Sequence, residues 1–374
     1  FSMSFFRKVI SVSTLNIFGF GKKINLLFNT VRHIKARQLF FYIARRRFSA
    51  KLICFDGVPQ KGKDFSLAAP IAVACTYNQN NTFTFLNHTE TFSLPMVWQP
   101  ENVSRLWAYN LHYFDYLRDA ACGQVNGDKL LQSWVSDNVQ AIKPGWEPFT
   151  ASLRIVNWIF FLSANTSSQT PLILKSLYTQ ALWLEKNDEQ HILANHYFEN
   201  LKALLFTGCF FLKSDSSDKH ASRWLKRGQQ EIILQLKEQT LADGGHYERS
   251  PQYHALMLED YLDIYNLAIS NSALFDRDFI SQLKQFSISN LNWLNDIVFP
   301  DKKIPLFNDS AFGIAPSLDK LNQYANDLFD YQYQEEEKNL TIIEKHDSGL
   351  YGLRSGNDML LMDCGDIGPS YQPG

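Results

Sequence analysis

The feature that most constrains the fold is a long series of amphipathic segments between Val103 and about Tyr331. Apolar residues recur there with helical period in stretches of about 12 to 20 residues, joined by short polar links. We predict helices near residues 103–121, 128–141, 147–165, 170–187, 195–213, 219–238, 251–269, 274–296 and 318–331. Successive helices of this length with short joins form antiparallel hairpins.

Consecutive hairpins without intervening strands limit the architecture to two forms. They make either a superhelical stack or a ring of inner and outer helices, and they are too many for a four-helix bundle. The sequence shows no repeat of fixed period, which counts against the stack. We therefore predict a mainly α chain in which the hairpins form a ring.

Short β-type runs flank the helical part on both sides. Before it, Ile71–Tyr77 and Thr82–Leu86 alternate or are rich in β-branched residues. After Asn339, runs at 341–344, 349–354 and 359–363 predict the start of an antiparallel β domain. The expected organisation is a basic, partly β segment at 1–100, a helical domain at 101–335 and the beginning of a β domain at 336–374.

Charge is nearly balanced over the whole chain but strongly biased at its beginning. A net charge of −2 gives no reason to expect a nucleic-acid partner. Residues 1–51 carry 11 Lys and Arg and no Asp or Glu. They form either an amphipathic segment on an anionic membrane surface or a basic helix packed by its Phe and Leu side chains onto the main domain. Neither a secretory signal nor a membrane span fits, which favours a cytoplasmic or membrane-peripheral protein over a periplasmic one.

The cysteines give no sign of a metal site or a disulfide scaffold. Cys54, Cys75, Cys122, Cys209 and Cys364 are scattered, odd in number and nowhere spaced as Cys-x-x-Cys. We expect buried, reduced thiols.

The segment at 191–200 places polar residues where a core-facing helix should begin. His191, Asn195 and Glu199 are four residues apart and would share one helical face. Asn195 and His196 offer an amide and an imidazole, which suit the binding and neutralisation of a carboxylate. The residues alone also allow a plainer interpretation, with Asn195 as a helix N-cap and His196 as a core histidine.

A second polar segment surrounds Tyr253. Ser250-Pro251 is an N-cap followed by proline at the first helical position, so Tyr253 falls in the first turn of a helix. The positive end of the helix dipole, with Arg249 and His254 nearby, would favour a phenolate that accepts a proton. The alternatives are a tyrosine packed in the core, or Tyr247 as the reactive tyrosine.

Three further segments, 107–116, 146–158 and 305–310, mix aromatic rings with polar side-chain tips. Such a composition suits a sugar groove, where rings stack on the sugar and polar groups reach its hydroxyl and acid groups. Core packing accounts for most of the aromatic residues. We place Asn110, His112, Arg154 and Asn308 in the groove.

Five motifs, taken together and in this order, resemble heparinase II/III-like proteins. They are Asn-Leu-His-Tyr-Phe-Asp-Tyr at 110–116, Trp-Glu-Pro-Phe-Thr-Ala-Ser-Leu-Arg-Ile-Val-Asn-Trp at 146–158, Asn195-His196, Gly-Gly-His-Tyr-Glu-Arg-Ser-Pro-Gln-Tyr-His at 244–254 and Pro-Leu-Phe-Asn-Asp-Ser at 305–310. The resemblance covers roughly residues 100–374. It implies an incomplete (α/α) toroid followed by an antiparallel β-sandwich. It also implies β-elimination on an acidic polysaccharide that contains uronic acid, with no metal or other cofactor.

The resemblance further implies roles for single residues. Asn195 and His196 match the pair that neutralises the substrate carboxylate, and Tyr253 matches the catalytic tyrosine. Predicted substrate contacts are Asn110, His112, Trp146, Glu147, Arg154, His246, Tyr247, Arg249, His254 and Asn308. In the family, the stretch similar to 368–374 continues into a histidine that helps to protonate or position the substrate. We therefore expect a truncated chain whose activity on its own is open.

The implied chemistry needs a base near C5 of the uronate, a group that discharges its carboxylate and an acid for the leaving O4. Tyr253 would be the base and would also return a proton to O4. Two alternatives stay open. One is an α/α-ring glycoside hydrolase that uses two carboxylates among Glu147, Glu248 and Asp309. The other is a non-catalytic glycan-binding protein of a capsule or exopolysaccharide system.

Overall fold

A computed structural model describes residues 28–29, 32–47, 55–57, 59, 64–73, 76–78, 80–93, 96–334 and 340–371. The helices are α1 (Ala36–Arg47), α2 (Arg105–Tyr113), α3 (Gly123–Asp137), α4 (Pro148–Ala164), α5 (Pro171–Asn187), α6 (Ala194–Leu212), α7 (Lys219–Gln239), α8 (Pro251–Ser270), α9 (Arg277–Ile297) and α10 (Leu318–Phe329). The strands are β1 (Tyr77–Asn78), β2 (Thr82–Phe85), β3 (His88–Thr91), β4 (Thr341–Lys345), β5 (Leu350–Ser355) and β6 (Asp358–Asp363).

Helix starts are fixed by side-chain caps that the sequence displays. The caps of α2, α5, α7, α8 and α10 each accept a hydrogen bond from a backbone N–H of the first turn. These caps are Ser104, Thr170, Asp218, Ser250 and Ser317. Proline follows the cap of α4, α5 and α8 at the first helical position, where its missing N–H removes no bond. The predicted helices therefore exist, and most begin within three residues of the expected position.

The first predicted helix, 103–121, is too long. Phe114 adopts a left-handed conformation with φ of 62°, which ends α2 at Tyr113. The chain then continues as a 3₁₀ turn at Asp115–Arg118. The bend directs the buried ring of Phe114 between the rings of Trp98 and Trp158, with centroid distances of 5.3 and 5.5 Å.

The helices from α2 to α10 form two concentric rows. Alternate helices pack in succession, so α2 contacts α4, α4 contacts α6, α6 contacts α8 and α8 contacts α10. The intervening helices form a second row, in which α3 contacts α5 and α7 contacts α9. Hairpin neighbours such as α6 and α7 join the rows. Two rows of helices joined by hairpins are the arrangement that the predicted ring requires.

The β-containing segment before the ring differs in part from expectation. The predicted run 82–86 is confirmed as β2, and β3 pairs with it in antiparallel register, Phe83 opposite Glu90. Residues 71–73 and 76 of the predicted run 71–77 are not strand, Tyr77 is, and residues 74–75 lie outside the described part of the chain; the segment at 64–73 bonds to side chains of the helical part instead. Ala68 donates to and accepts from the amide of Asn266, both at 2.9 Å. Ile71 is buried against α8, α9 and α10.

After the ring, β4, β5 and β6 form an antiparallel sheet in sequence order, which confirms the three predicted strands. The sheet is tied to the ring through the turn before β5. The Ser348 N–H donates to Asp243 Oδ2 at 2.7 Å, and its hydroxyl donates to Asp243 Oδ1 at 2.9 Å. The indole of Trp293 on α9 donates to Ser348 Oγ at 3.0 Å.

Most of the basic segment at 1–51 lies outside the described residues, and its predicted membrane contact stays a prediction. Helix α1 does rest on the ring, but by polar contacts. Arg37 donates to Gln190 and Tyr197 at 2.7 and 2.9 Å. Phe40 and Ile43 are 65% and 51% exposed, so the expectation that apolar side chains hold this helix is wrong at these positions. Among the described helices, none is both long and apolar enough to cross a bilayer.

The cysteine prediction is partly confirmed. Cys122 and Cys209 are free and buried, as expected. Cys364 is free but exposed, because it follows the last strand at the edge of the sheet. Cys54 and Cys75 lie outside the described residues.

Candidate active site

Helix α6 begins with an unusual backbone that brings Asn195 and His196 to the surface. Leu193 has φ of 66° and ψ of −151°, and Ala194 has φ of 50°, both in regions that side chains disfavour. Leu193 is the cap residue, so the alternative of Asn195 as N-cap is wrong. His196 keeps 35% of its side chain exposed and is not a core histidine. His191 precedes the helix and shares no helical face with Asn195.

His196 is held between an aromatic ring and a buried carboxylate. Its ring lies on Phe149, from the first turn of α4, at a centroid distance of 4.5 Å. Its Nδ1 lies 3.2 Å from Glu189 Oε2, an ion-pair distance whose angle is not that of a straight hydrogen bond. The imidazole therefore has one nitrogen beside an acid.

Tyr253 stands in the first turn of α8, as predicted, and its N–H bonds to Ser250 Oγ at 3.2 Å. The predicted effect on its pKa is wrong in sign. Burial raises the pKa of Tyr253, and the nearby carboxyls of Asp309 and Glu248 raise it further, so the phenol keeps its proton.

His254 cannot lower the pKa of Tyr253 because it is neutral and packed inward. Its Nδ1 accepts from the N–H of His246 at 3.2 Å, and its Nε2 lies 3.0 Å from the carbonyl oxygen of Asn290. Burial lowers the pKa of His254 to about 4. With no exposed side chain, it also cannot contact substrate, which corrects that prediction.

Glu248 is a site residue to which the predicted lyase mechanism gave no role. Burial raises its pKa to about 7, His196 opposes this rise and Asp309 adds to it. Its Oε1 is buried and has no hydrogen-bond partner within the part of the chain that the structure describes. Glu248 thus interacts electrostatically with both His196 and Tyr253. One of its two carboxyl oxygens makes no hydrogen bond to the described residues. Its only sequence signal was its place between Gly244-Gly245 and Ser250-Pro251.

Strained backbone marks all three segments that meet here. Besides Leu193 and Ala194, Arg249 has φ of 57° and Asn308 has φ of 51°. These positions directly adjoin Asn195, Glu248 and Asp309. Left-handed backbone at non-glycine residues is costly and tends to persist at functional sites.

Three predicted substrate contacts on α2 and α4 are instead core residues. His112 is fully buried, its Nε2 2.9 Å from the carbonyl oxygen of Trp98, and burial lowers its pKa to about 3. Arg154 is fully buried, donates to Gln180 and to the Gly145 carbonyl at 2.8 and 2.7 Å, and lies over the Trp134 ring. Trp146 is 4% exposed and donates to a backbone carbonyl. The hydrogen bonds of these three side chains are made with interior groups, and none of the three is exposed to a ligand.

Two predicted contacts before α8 are also interior. His246 is 1% exposed, and burial lowers its pKa to about 3. Tyr247 is 7% exposed, and burial raises its pKa strongly, as do interactions with Tyr371. Such a phenol is a poor base, so Tyr247 is a weaker candidate than Tyr253.

Four predicted contacts remain at the surface with other partners. Asn110 donates to the Leu106 carbonyl at 2.8 Å, and Glu147 pairs with Arg105 at 2.6 Å. The guanidinium of Arg249 donates to the backbone carbonyls of Asp366 and Asp347 at 2.7 and 3.1 Å. Asn308 is exposed and donates to the Arg249 carbonyl at 2.8 Å. Their contacts with substrate stay predictions.

The sequence is similar to those of known lyases. The family profile described as Heparinase II/III N-terminus matches residues 95–335. The heparin-sulfate lyase of Pedobacter heparinus is 27% identical over 219 residues, 56% of this chain and 29% of that protein. The heparin-sulfate lyase of Bacteroides thetaiotaomicron is 24% identical over 232 residues, 57% of this chain and 33% of that protein. The chain thus spans a third or less of these relatives.

The fold is similar to solved structures as well. A crystal structure of heparinase III matches with a TM-score of 0.57 at 17% identity, over 97% of this chain and 62% of that one. A mutant of the heparan sulfate lyase HepC from Pedobacter heparinus matches with a TM-score of 0.51 at 19% identity, over 78% of this chain and 50% of that one. These neighbours are toroids, so the predicted toroid fold is confirmed. Because the family profile covers more than half of the 374 residues, the chain belongs to the heparinase II/III family.

Proposed function

We propose that this chain carries the active site of a polysaccharide lyase that cleaves an acidic polysaccharide containing uronic acid. The observation behind this proposal is that Asn195 and His196 begin α6 and Tyr253 begins α8, two inner helices in contact, and that Glu248 immediately before α8 has a buried carboxyl oxygen without a hydrogen-bond partner among the described residues. The heparin-sulfate lyases among its relatives support lyase chemistry and an acidic glycosaminoglycan substrate.

In this proposal, Asn195 and His196 bind the carboxylate of the uronate. The amide and the imidazole donate hydrogen bonds to it and stabilise the enolate-like charge that forms when C5 loses its proton. Both residues occupy the first turn of α6, where the helix dipole also favours negative charge. Their partly exposed positions leave them accessible to a polymer.

Proton transfer is divided between Glu248 and Tyr253. The Glu248 carboxylate, with a pKa of about 7, takes the C5 proton, and the released electron pair forms the C4–C5 double bond. The C4–O4 bond breaks, and O4 takes the proton of the neutral Tyr253 phenol. The proton now on Glu248 passes to the phenolate, so both groups return to their starting states. This scheme revises the role of Tyr253 from base to acid.

The test is ultraviolet absorbance of the unsaturated product, measured when the purified protein is incubated with acidic polysaccharides. We expect Tyr253→Phe to lower kcat by about 100- to 10,000-fold, because the leaving oxygen loses its proton donor. Tyr265→Phe removes a hydroxyl from a buried tyrosine farther along α8 and should leave the rate unchanged.

Other outcomes would overturn the proposal. Cleavage without new ultraviolet absorbance would indicate a hydrolase, with Glu248 and Asp309 as its carboxylates. Binding of polysaccharide without any turnover would indicate a glycan-binding protein. A wild-type rate for Tyr253→Phe would remove this tyrosine from the mechanism.

A further inference from the structure

Glu189 lies in the loop between α5 and α6 and is buried, with 6% of its surface exposed. Hydrogen bonds fix both the backbone carbonyl and the backbone N–H of this residue. The carbonyl accepts from the N–H groups of Ile192 and Leu193 at 2.8 and 3.0 Å, and its own N–H donates to Asn200 Oδ1 at 2.6 Å. The loop therefore holds this residue in one place relative to α6.

The Glu189 carboxylate faces His196. Its Oε2 lies 3.2 Å from His196 Nδ1 and 3.4 Å from Asn200 Nδ2. Burial alone would raise the pKa of Glu189, yet His196, Arg45 and Asn200 lower it below its ordinary value. The group is thus a buried anion, and such a charge is tolerated only beside a cation or hydrogen-bond donors.

The opposite side of the imidazole is left for a ligand. With Nδ1 turned to Glu189 and one ring face on Phe149, the orientation of His196 is set from two directions. Nε2 points away from Glu189 on a side chain that is 35% exposed. A histidine whose Nδ1–H faces a carboxylate keeps a fixed ring orientation, and in its imidazolium form it also donates from Nε2.

We propose that Glu189 is the positioning residue of this site: it holds the Nδ1–H of His196, so that the imidazolium form presents an Nε2–H to the substrate carboxylate. The proposal rests on the proposed function for its effect on catalysis, but the state of the imidazole is independent of it. The charged and titratable groups around His196 are Glu189, Glu248 and His191, with Arg45 next to Glu189. Among these, Glu189 is the one within ion-pair distance.

The first measurement is the ¹⁵N NMR spectrum of the imidazole rings, assigned to His196 through His196→Gln. In the wild-type protein we expect a proton on Nδ1 at neutral pH. In Glu189→Gln, which keeps the size of the side chain and removes its charge, we expect that protonation to be lost. Asp188→Asn is the matched control, because Asp188 is the adjacent buried acid and pairs with Arg227 rather than with His196.

The second measurement is kinetic. Glu189→Gln should lower kcat by about 10- to 100-fold with little change in KM, the usual range for loss of a group that orients a functional histidine. Asp188→Asn should leave kcat unchanged. An Nδ1 without a proton in the wild-type spectrum, or a His196 signal unaltered in Glu189→Gln, would refute the positioning role. The wild-type spectrum decides the question even if the variant fails to fold, and absent lyase activity with the expected spectra would refute only the proposed function.

Discussion

At the scale of single residues, Glu248 couples the stability of the fold to pH. Its pKa is about 7 in the folded chain, against an ordinary value of 4.5, because burial disfavours the charged form. Below pH 4.5 the carboxyl is neutral in both states. As pH rises from 4.5 to 7, Glu248 ionises more readily in the unfolded chain than in the folded chain, so the free energy of unfolding falls.

We therefore expect Glu248→Gln to be more stable than the wild-type protein at pH 8 but not at pH 4. The shift corresponds to at most about 3 kcal/mol in the free energy of unfolding. Urea denaturation at both pH values measures the difference. Glu344→Gln, the same change at an exposed position of β4, should show no such pH dependence, and equal effects of the two variants would contradict our account of Glu248.

The roles of Asn195 and His196 follow mainly from the resemblance to the heparinase II/III-like family, and the position of Tyr253 follows from Ser250-Pro251; these roles stay predictions. His112 and Arg154 belong to equally polar motifs but are fully buried. Whether a histidine faces a cleft or the interior depends on its partners in three dimensions, which a sequence does not display.

The buried charges between the inner helices are a second feature that the sequence could not predict. Lys202 on α6 donates to Asp260 and Asp263 on α8 at 2.6 and 2.8 Å. Arg118 pairs with Glu259 of α8 at 2.8 Å. Each residue alone would be assigned to the surface, and only the packing of α6 and of the 3₁₀ turn at Asp115–Arg118 against α8 gives these charges their partners.

At the scale of elements, α6 and α7 approach each other more closely than side chains allow. A Cβ atom at Gly208 would lie 2.7 Å from both the Ala221 carbonyl oxygen and the Leu225 nitrogen. These are backbone atoms, which cannot turn away. This glycine therefore sets the distance between an inner helix and its outer neighbour.

Gly208→Ala should lower the free energy of unfolding by about 1–3 kcal/mol, because the two helices must separate to admit the methyl group. Thermal or urea denaturation measures the effect. Gly127→Ala is the comparison, since its Cβ would meet only side-chain atoms of Phe161 and Leu117, and it should cost less. A larger loss for Gly127→Ala would mean that the contact between α6 and α7 is more adaptable than its geometry indicates.

The bounds of a helix could be predicted from the sequence where hydrogen bonds of neighbouring residues fix them. Ser250-Pro251 and Thr170-Pro171 fix helix starts by their own bonds, so the bounds of α5 and α8 follow from the sequence. The strand predicted from residue 71 is wrong at residues 71–73, where long-range contacts replace strand pairing. Its neighbour Ala68 bonds to Asn266, about two hundred residues away, which no local pattern indicates.

At the scale of the whole molecule, the sheet that follows the ring also holds two segments of the candidate site in place. Arg249, next to Glu248, donates to carbonyls on both sides of the sheet, at Asp347 and Asp366. Asn308, next to Asp309, donates to Asp363 at 3.1 Å. Arg249 and Asn308 therefore hold the segments that carry Glu248 and Asp309, and the same two residues attach the sheet to the ring.

Asp243 is the main anchor of that attachment, since its two oxygens accept the N–H and the hydroxyl of Ser348. Asp243→Ala leaves the partly buried N–H of Ser348 unpaired, which should cost about 1–3 kcal/mol. We expect faster amide hydrogen exchange across β4–β6, with α6 unchanged. Asp347→Ala removes the same charge one residue before Ser348 from an exposed side chain and should leave exchange as in the wild-type protein. Equal acceleration in both variants, or none in Asp243→Ala, would show that the sheet is held by Arg249 and Asn308 instead.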